Sequence, residues 1–193
     1  MPSNFPHDMT VGLVVMSGKP VHAGHHMLIE QAAAKNDQVI VYVSTSDRKR
    51  KGESPISGAD MHTIWTRHLE GIMPGNVTVE YGGSPVLKIY EQLGYESERF
   101  EIGDHDVAFY TIYSDPEDLS KNFPDRSMDK YAGALWRAGL INKQAVSRTS
   151  TVDVSGTKMR DLLAKGDERG FKSMFPDPLD QQARDDIWQI LAD

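Results

Sequence analysis

The stretch Met16-Ser-Gly-Lys-Pro-Val-His-Ala-Gly-His25 decides how the rest of the chain is interpreted. It follows an apolar run, Val11-Gly-Leu-Val-Val-Met16, which predicts a buried β-strand, and the next residues, His26 to Ala34, have the composition of a helix. A strand, a glycine-containing turn and a helix together present backbone N–H groups to an anion at the helix N-terminus. His22 and His25 are three residues apart, so we expect both imidazoles on one face of the first helical turn.

Length and composition bound the class of protein. A chain of 193 residues and 21.6 kDa is long enough for one well-buried domain and short for two. We therefore expect a single domain over residues 1–193, with a core at about 10–165 and a C-terminal helical segment at 167–193. The absence of cysteine excludes disulfides and thiol catalysis. The net charge of −7 argues against broad nucleic-acid binding.

The sequence also bears on location. No apolar run has the length that crossing a bilayer requires, and the N-terminal residues lack the basic and apolar regions of a signal peptide. These features predict a cytoplasmic protein with no membrane partner.

The segment after the first helix continues an α/β pattern. Gln38 to Ser44 is β-branched and apolar, as in a strand covered on both faces. The polar loop that follows carries four consecutive basic residues, Arg48 to Lys51, and is either a solvated loop or a flap whose cations meet a triphosphate. Ser57 then begins a helix that should extend to about Met73.

The middle of the chain gives weaker signals. Asn76 to Tyr81 alternates like a strand, and a helix should run from Pro85 to a stop at Gly94. Arg99 to Asp104 is interpreted as the next strand, in which Asp104 either accepts ribose hydroxyls or caps a helix. We expect the residues from His105 to Asp129 to form an insertion that faces the substrate.

A second informative motif is Val154-Ser-Gly-Thr-Lys-Met-Arg160. Strand character gives way here to a helix that should end near Gly166. Hydroxyl and N–H groups at a helix start, with Lys158 and Arg160 on its first turns, make a compact anion site. Considered alone, the Ser-Gly-Thr sequence would indicate only a helix cap.

Together, Pro20-Val-His-Ala-Gly-His25 and Ser155-Gly-Thr-Lys-Met-Arg160 resemble the two signatures of the HIGH-motif, cytidylyltransferase-like nucleotidyltransferase superfamily. The pattern is most similar to that of archaeal-type nicotinamide mononucleotide (NMN) adenylyltransferases. The sequence departs from that family at Ser17, where arginine is usual, and at Gly18, where an aromatic residue is usual.

The resemblance implies an α/β fold: a Rossmann-like, doubly wound parallel sheet with C-terminal helices. It also implies an enzyme that joins ATP to a small phosphate-bearing acceptor, with NMN favoured, and releases pyrophosphate. Catalysis would rest on positioning and charge neutralisation, and Mg²⁺ would bridge phosphate oxygens without a dedicated protein cage.

The motifs and the resemblance predict three groups of site residues. The catalytic group is His22, His25 and Arg160. The nucleotide-binding group is Ser17, Gly18, Lys19, Gly24, Asp104, Ser155, Thr157 and Lys158. The substrate-binding group is Ser44 and Arg67.

Several alternatives stay open at this point. One alternative is a different acceptor, either a pantetheine phosphate or flavin mononucleotide. Another is an enzyme that uses CTP in place of ATP, and a third is a protein that binds nucleotides without turnover. The C-terminal segment, which begins at Asp167, either packs on the core or forms the contact of a homo-oligomer.

Overall fold

The computed structural model describes residues 9–17, 19–103, 108–146 and 156–192. A parallel sheet with the strand order β3-β2-β1-β4-β5 forms its centre. This arrangement confirms the predicted Rossmann-like sheet. The strands are β1 (Thr10–Met16), β2 (Gln38–Ser44), β3 (Val77–Gly82), β4 (Phe109–Ser114) and β5 (Ile141–Ala145).

Helices connect the strands and complete the chain. They are α1 (Ala23–Lys35), α2 (Gly58–Ile64), α3 (Pro85–Glu101), α4 (Pro116–Asn122), α5 (Asp125–Tyr131), α6 (Gly133–Arg137), α7 (Gly156–Lys165), α8 (Glu168–Lys172) and α9 (Gln181–Ala192). Helix α2 continues through a π-helical turn, Trp65–Leu69, and a 3₁₀ turn, Glu70–Ile72, so its predicted extent is confirmed. Within the described part of the chain, no helix is both long and apolar enough to cross a membrane.

The sheet is covered on both faces. Val14 and Met16 of β1 belong to one hydrophobic cluster, whereas Val11 and Leu13 belong to another, because successive side chains of a strand point to opposite faces. The first cluster includes residues of α1, α2, α7, α8 and α9, and the second includes residues of α3 to α6. The sheet is therefore doubly wound, as predicted.

The C-terminal segment packs on the first of these clusters. Phe171 of α8 and Ile187 of α9 are completely buried there, and the ring of Phe171 contacts Trp188 at a centroid distance of 5.4 Å. The carbonyl oxygen of Met174, between α8 and α9, accepts a hydrogen bond of 2.9 Å from the N–H of Ala23, the first residue of α1. Packing on the core is therefore confirmed, and the segment helps to hold the start of α1.

The prediction of a strand at Arg99–Asp104 is wrong. Helix α3 does not stop at Gly94 but continues to Glu101. Tertiary contacts sustain it beyond the glycine: the Ser97 hydroxyl accepts N–H groups from Ala134 and Leu135 at the start of α6, at 3.0 and 3.2 Å. The fourth strand along the chain is β4, and Asp104 lies outside the described residues.

The described residues from Ala108 onwards do not form an insertion. They contribute β4 and β5, which extend the sheet beyond β1, and the short helices α4, α5 and α6. The expectation of a substrate-facing insertion is therefore corrected, because the described residues from Ala108 to Ile141 contribute nine of the fourteen buried residues of the second hydrophobic cluster.

Helix α2 begins in close contact with the end of β2. A Cβ atom added to Gly58 would lie 1.6 Å from the carbonyl oxygen of Thr45. The Gly58 N–H donates to Asp47 Oδ1 at 2.8 Å, and the Ser57 hydroxyl caps the helix by accepting the N–H of Asp60 at 3.0 Å. The two ends of the loop between β2 and α2 are therefore in close contact.

The substitution Gly58→Ala should lower the free energy of unfolding by about 1–3 kcal/mol, because the helix and the strand end must separate to admit the methyl group. Urea denaturation would measure this change. Gly71→Ala is the matched control, since nothing lies within 4 Å of an added Cβ there. Equal stabilities of the two variants would contradict the close packing.

Candidate active site

The turn after β1 places two histidines at the start of α1. His22 is the N-cap residue, with an extended backbone (φ −127°, ψ 176°), and its Nδ1 accepts the N–H of Gly24 at 3.1 Å. In return, the N–H of His22 donates to Nδ1 of His25 at 3.1 Å. The pair forms a reciprocal capping box in which histidines replace the usual hydroxyl and carboxylate residues.

This capping box defines the tautomers of both rings. Because each Nδ1 accepts a backbone N–H, each neutral imidazole carries its proton on Nε2. The two rings are stacked, with centroids 3.7 Å apart and planes inclined by 26°. His22 and His25 therefore hold two N–H donors side by side, a suitable arrangement for the oxygens of an anion.

Lys19 links this turn to the end of β2. Its Nζ donates to the Ser44 hydroxyl at 3.3 Å and to the carbonyl oxygen of Ser46. Burial lowers the pKa of Lys19, and the charge of Arg48 lowers it further, while Asp47 opposes the shift. Ser44, which was predicted to bind substrate, is buried at the carboxyl end of β2, where parallel sheets bind ligands.

Arg160 joins the second motif to the first. From the first turns of α7 its Nη1 donates to the carbonyl oxygen of Lys19 at 3.0 Å, and its Nη2 donates to the Thr157 hydroxyl at 3.3 Å. A Cβ added to Gly156 would lie 2.9 Å from Nη1, so the glycine leaves space for the guanidinium. The two motifs therefore meet although they are 141 residues apart.

The basic loop contributes a third part of the site. Arg48 and Ile56 form an antiparallel bridge with backbone hydrogen bonds of 2.8 and 3.0 Å, and the Ile56 side chain is completely buried. Glu53 lies within this hairpin and accepts two hydrogen bonds from Arg48, at 2.9 and 3.1 Å. Its Oε2 also lies 2.9 Å from Nε of Arg160, an ion pair outside hydrogen-bond geometry.

These contacts gather three cations around one edge of the sheet. Burial is the main cause that lowers the pKa of Arg160, followed by the charge of Arg48, and Glu53 acts in the opposite direction. The pKa of Glu53 is lowered, chiefly by its hydrogen bonds from Arg48. Lys19, Arg48 and Arg160 form what we call the cation cluster, and its charge suits a phosphate chain.

The predicted site residues divide into three sets. The structure brings together Lys19, His22, Gly24, His25, Ser44, Thr157 and Arg160. Ser17 follows β1 directly and Lys158 lies on α7, both exposed, while Gly18, Asp104 and Ser155 fall outside the described residues. Arg67 is not tied to the cluster by these contacts: its Nη1 lies 3.5 Å from Oδ2 of Asp186 in α9.

Two residues of the site had not been assigned to it from the sequence. The run of four basic residues gave a signal for Arg48, but only as one of two interpretations of the loop. The sequence gave no signal for Glu53, because its role depends on Arg160. That arginine lies 107 positions further along the chain.

Comparison with known proteins agrees with this geometry. Residues 11–71 match the family model described as the citrate lyase ligase C-terminal domain. A curated relative, the nicotinamide-nucleotide adenylyltransferase of Haloarcula marismortui, is 19% identical over 121 residues, covering 49% of this chain and 64% of that protein. The resemblance to the nucleotidyltransferase superfamily is thereby confirmed.

Several solved structures share the fold of this chain. A Vibrio parahaemolyticus protein assigned as a nicotinate-nucleotide adenylyltransferase has a TM-score of 0.53 at 12% identity, covering 93% of this chain and 98% of that one. The bifunctional NMN adenylyltransferase/ADP ribose pyrophosphatase of Francisella tularensis, complexed with AMP and a manganese ion, has a TM-score of 0.56 at 13% identity. That match covers 95% of this chain and 52% of the Francisella protein. The chain thus spans about two thirds of the curated relative and half of the Francisella protein.

Metal ligation is the remaining question about the described residues of the chain. No three His, Asp or Glu side chains among them are grouped closely enough to hold one. The described side chains of this site therefore do not form a metal site by themselves, and a divalent cation held here would depend on the oxygens of a bound phosphate chain.

The capping box generates a prediction about stability. His25→Ala should lower the free energy of unfolding by about 1 kcal/mol, because the His22 N–H loses its acceptor. His25→Asn should retain most of that stability, since its amide oxygen can take the position of Nδ1. Urea denaturation of the three proteins tests this, and equal losses in both variants would contradict a capping role.

Glu53 should make stability depend on pH. The pKa of Glu53 is lowered in the folded chain, so protonation of Glu53 destabilises the folded state. The stabilisation by the Glu53 carboxylate is therefore fully present above its unfolded pKa of about 4.3. The difference in unfolding free energy between the native chain and Glu53→Gln should stay constant from pH 7 to 5. It should then shrink as the pH falls through the lowered pKa. A difference that does not depend on pH would contradict the ion pair.

Proposed function

We propose that the chain transfers the adenylyl group of ATP to the phosphate of a small acceptor, with NMN as the acceptor and NAD as the product. The observation that carries this proposal is the pair of stacked histidines with Nε2–H donors on the same turn as Lys19, whose carbonyl oxygen accepts a hydrogen bond from Arg160 of the cation cluster. Paired neutral donors beside fixed positive charges suit a reaction in which negative charge moves along a phosphate chain.

In the proposed reaction an oxygen of the acceptor phosphate attacks the α-phosphorus of ATP. The bond from that phosphorus to the bridging oxygen breaks, and pyrophosphate leaves with the electron pair. His22 and His25 would donate hydrogen bonds to α- and β-phosphate oxygens as charge builds on the leaving group. No protein nucleophile is required, so the site would act by positioning and charge neutralisation.

The β- and γ-phosphates would lie against the cation cluster. Lys19 and Arg160 would neutralise their charge, and the hydroxyl of Thr157 would donate a hydrogen bond to a phosphate oxygen. For the remaining predicted residues, we propose contacts with the nucleotide or acceptor: Ser17, Gly18, Gly24, Ser44, Arg67, Asp104, Ser155 and Lys158. Mg²⁺ would enter bound to the triphosphate and would add positive charge without requiring a protein cage.

The names of the similar proteins support the choice of ATP and NMN as substrates. The Haloarcula relative is a nicotinamide-nucleotide adenylyltransferase, and the Francisella structure contains AMP and a manganese ion. Identities of 19% and 13% support the reaction class more strongly than they support the acceptor. The acceptor is therefore the part of the proposal that most needs an experiment.

Pyrophosphate release from Mg-ATP and Mg-CTP, each with a panel of phosphate acceptors led by NMN, tests the proposal directly. We expect release with ATP and NMN. Release with another pair would retain the reaction and replace the substrate, so that a pantetheine phosphate, flavin mononucleotide or CTP-linked acceptor would take its place. Silence throughout, with ATP binding retained, would favour a nucleotide-binding protein without turnover.

The histidine donors can be tested separately from the capping box. His25→Asn keeps an acceptor near Nδ1 but removes the Nε2 donor, so kcat should fall by about 100-fold while the KM for ATP changes little. His25→Gln places an amide nitrogen near the position of Nε2 and should retain more activity than His25→Asn. The reverse order, or equal losses in kcat and in affinity, would contradict the donor role.

A further inference from the structure

Glu53 is the side chain that both arginines of the cation cluster contact. Its two carboxylate oxygens accept hydrogen bonds from Arg48 at 2.9 and 3.1 Å, and Oε2 lies 2.9 Å from Nε of Arg160. The three side chains are partly or largely buried, with exposed fractions of 27% for Glu53, 19% for Arg48 and 12% for Arg160. The carboxylate therefore bridges two cations that come from distant parts of the chain.

The Arg160 side chain and the Arg48 backbone are held by contacts that do not involve Glu53. Arg160 donates to the Lys19 carbonyl and the Thr157 hydroxyl, and the backbone of Arg48 is paired with Ile56. Glu53, by contrast, follows Gly52, which has a positive φ of 83° at the exposed tip of the hairpin. The Arg160 guanidinium and the Arg48 backbone would therefore keep these contacts if the Glu53 side chain rotated towards solvent.

The position that Glu53 occupies is chemically suitable for a phosphate. Guanidinium groups bind carboxylate and phosphate oxygens with the same paired N–H geometry. A terminal phosphate brings more negative charge than a carboxylate, and the cluster carries three positive charges with Lys19. Exchange of the carboxylate for a phosphate would therefore improve the charge balance of the cluster.

We propose that Glu53 occupies the place of a terminal phosphate when no nucleotide is bound, and that the triphosphate must expel it in order to bind. This inference rests on the proposed function, because it concerns the same triphosphate site. The apparent affinity for a phosphate chain is then reduced by the fraction of molecules in which Glu53 occupies the site. Glu53 is thus a built-in competitor that tunes affinity, not a group that reacts.

The test measures binding of inorganic tripolyphosphate to the full chain by calorimetry at fixed ionic strength. Glu53→Gln should bind about 5-fold more tightly than the native chain, a factor within the range expected for one partly exposed ion pair. Glu168→Gln is the matched control: it removes the same charge from an exposed carboxylate that pairs with Lys172 on α8. Its affinity should equal that of the native chain.

A second variant separates competition from simple repulsion. Glu53→Asp keeps the local charge but shortens the side chain by one methylene, so its carboxylate cannot bridge Arg48 and Arg160 without a shift. We expect an affinity between those of the native chain and Glu53→Gln. An affinity of Glu53→Asp equal to that of the native chain would show that charge alone matters, and it would overturn the inference.

The remaining outcomes are also decisive. Unchanged or weaker binding by Glu53→Gln would show that Glu53 positions the arginines for the ligand, and it would overturn the inference, as would the failure of every protein to bind. Urea denaturation confirms that the variants are folded. The pyrophosphate assay tests the proposed function separately. If no pyrophosphate is released but Glu53→Gln binds tripolyphosphate more tightly, the proposed function is wrong and the competition by Glu53 is still supported.

Discussion

The guanidinium of Arg160 joins the two ends of the site, and the rest of the arrangement depends on this contact. It reaches the carbonyl oxygen of Lys19, across 141 residues of sequence. The fold makes this possible because β1 lies in the middle of the sheet, and because α7 returns from the edge strand β5 to pack on the same face as α1. The carboxyl ends of parallel strands then meet at one edge, where both motifs are required.

The capping box shows why histidine occupies the start of α1. Serine or aspartate is the usual N-cap, but each carries its acceptor at the end of a short side chain. An imidazole has a second nitrogen on the opposite side of the ring, so His22 and His25 satisfy the helix with Nδ1 and present N–H donors with Nε2. The stability of the helix and the tautomers of the rings therefore depend on the same two hydrogen bonds.

Local signals predicted the two motifs and the sheet between them. The apolar run of β1, the glycine-containing turn and the helix start at Gly156 are each determined by neighbouring residues. The prediction failed where contacts between distant residues determine the secondary structure. Helix α3 continues past Gly94, and the Ser97 hydroxyl there accepts hydrogen bonds from N–H groups of α6. The strand that was expected at Arg99–Asp104 belongs instead to Phe109–Ser114, whose aromatic and β-branched residues fitted either a helix or a strand.

The pairing of Glu53 with Arg160 could not be predicted from the sequence, because it too is a contact between distant residues. This pairing affects how the site can bind an anion. A cluster of three cations is unfavourable without a counter-charge, so the folded chain supplies one from its own hairpin. The histidines likewise use Nδ1 within the protein. If the site binds a phosphate chain as proposed, that chain would exchange one set of contacts for another, and its affinity would reflect the difference between them.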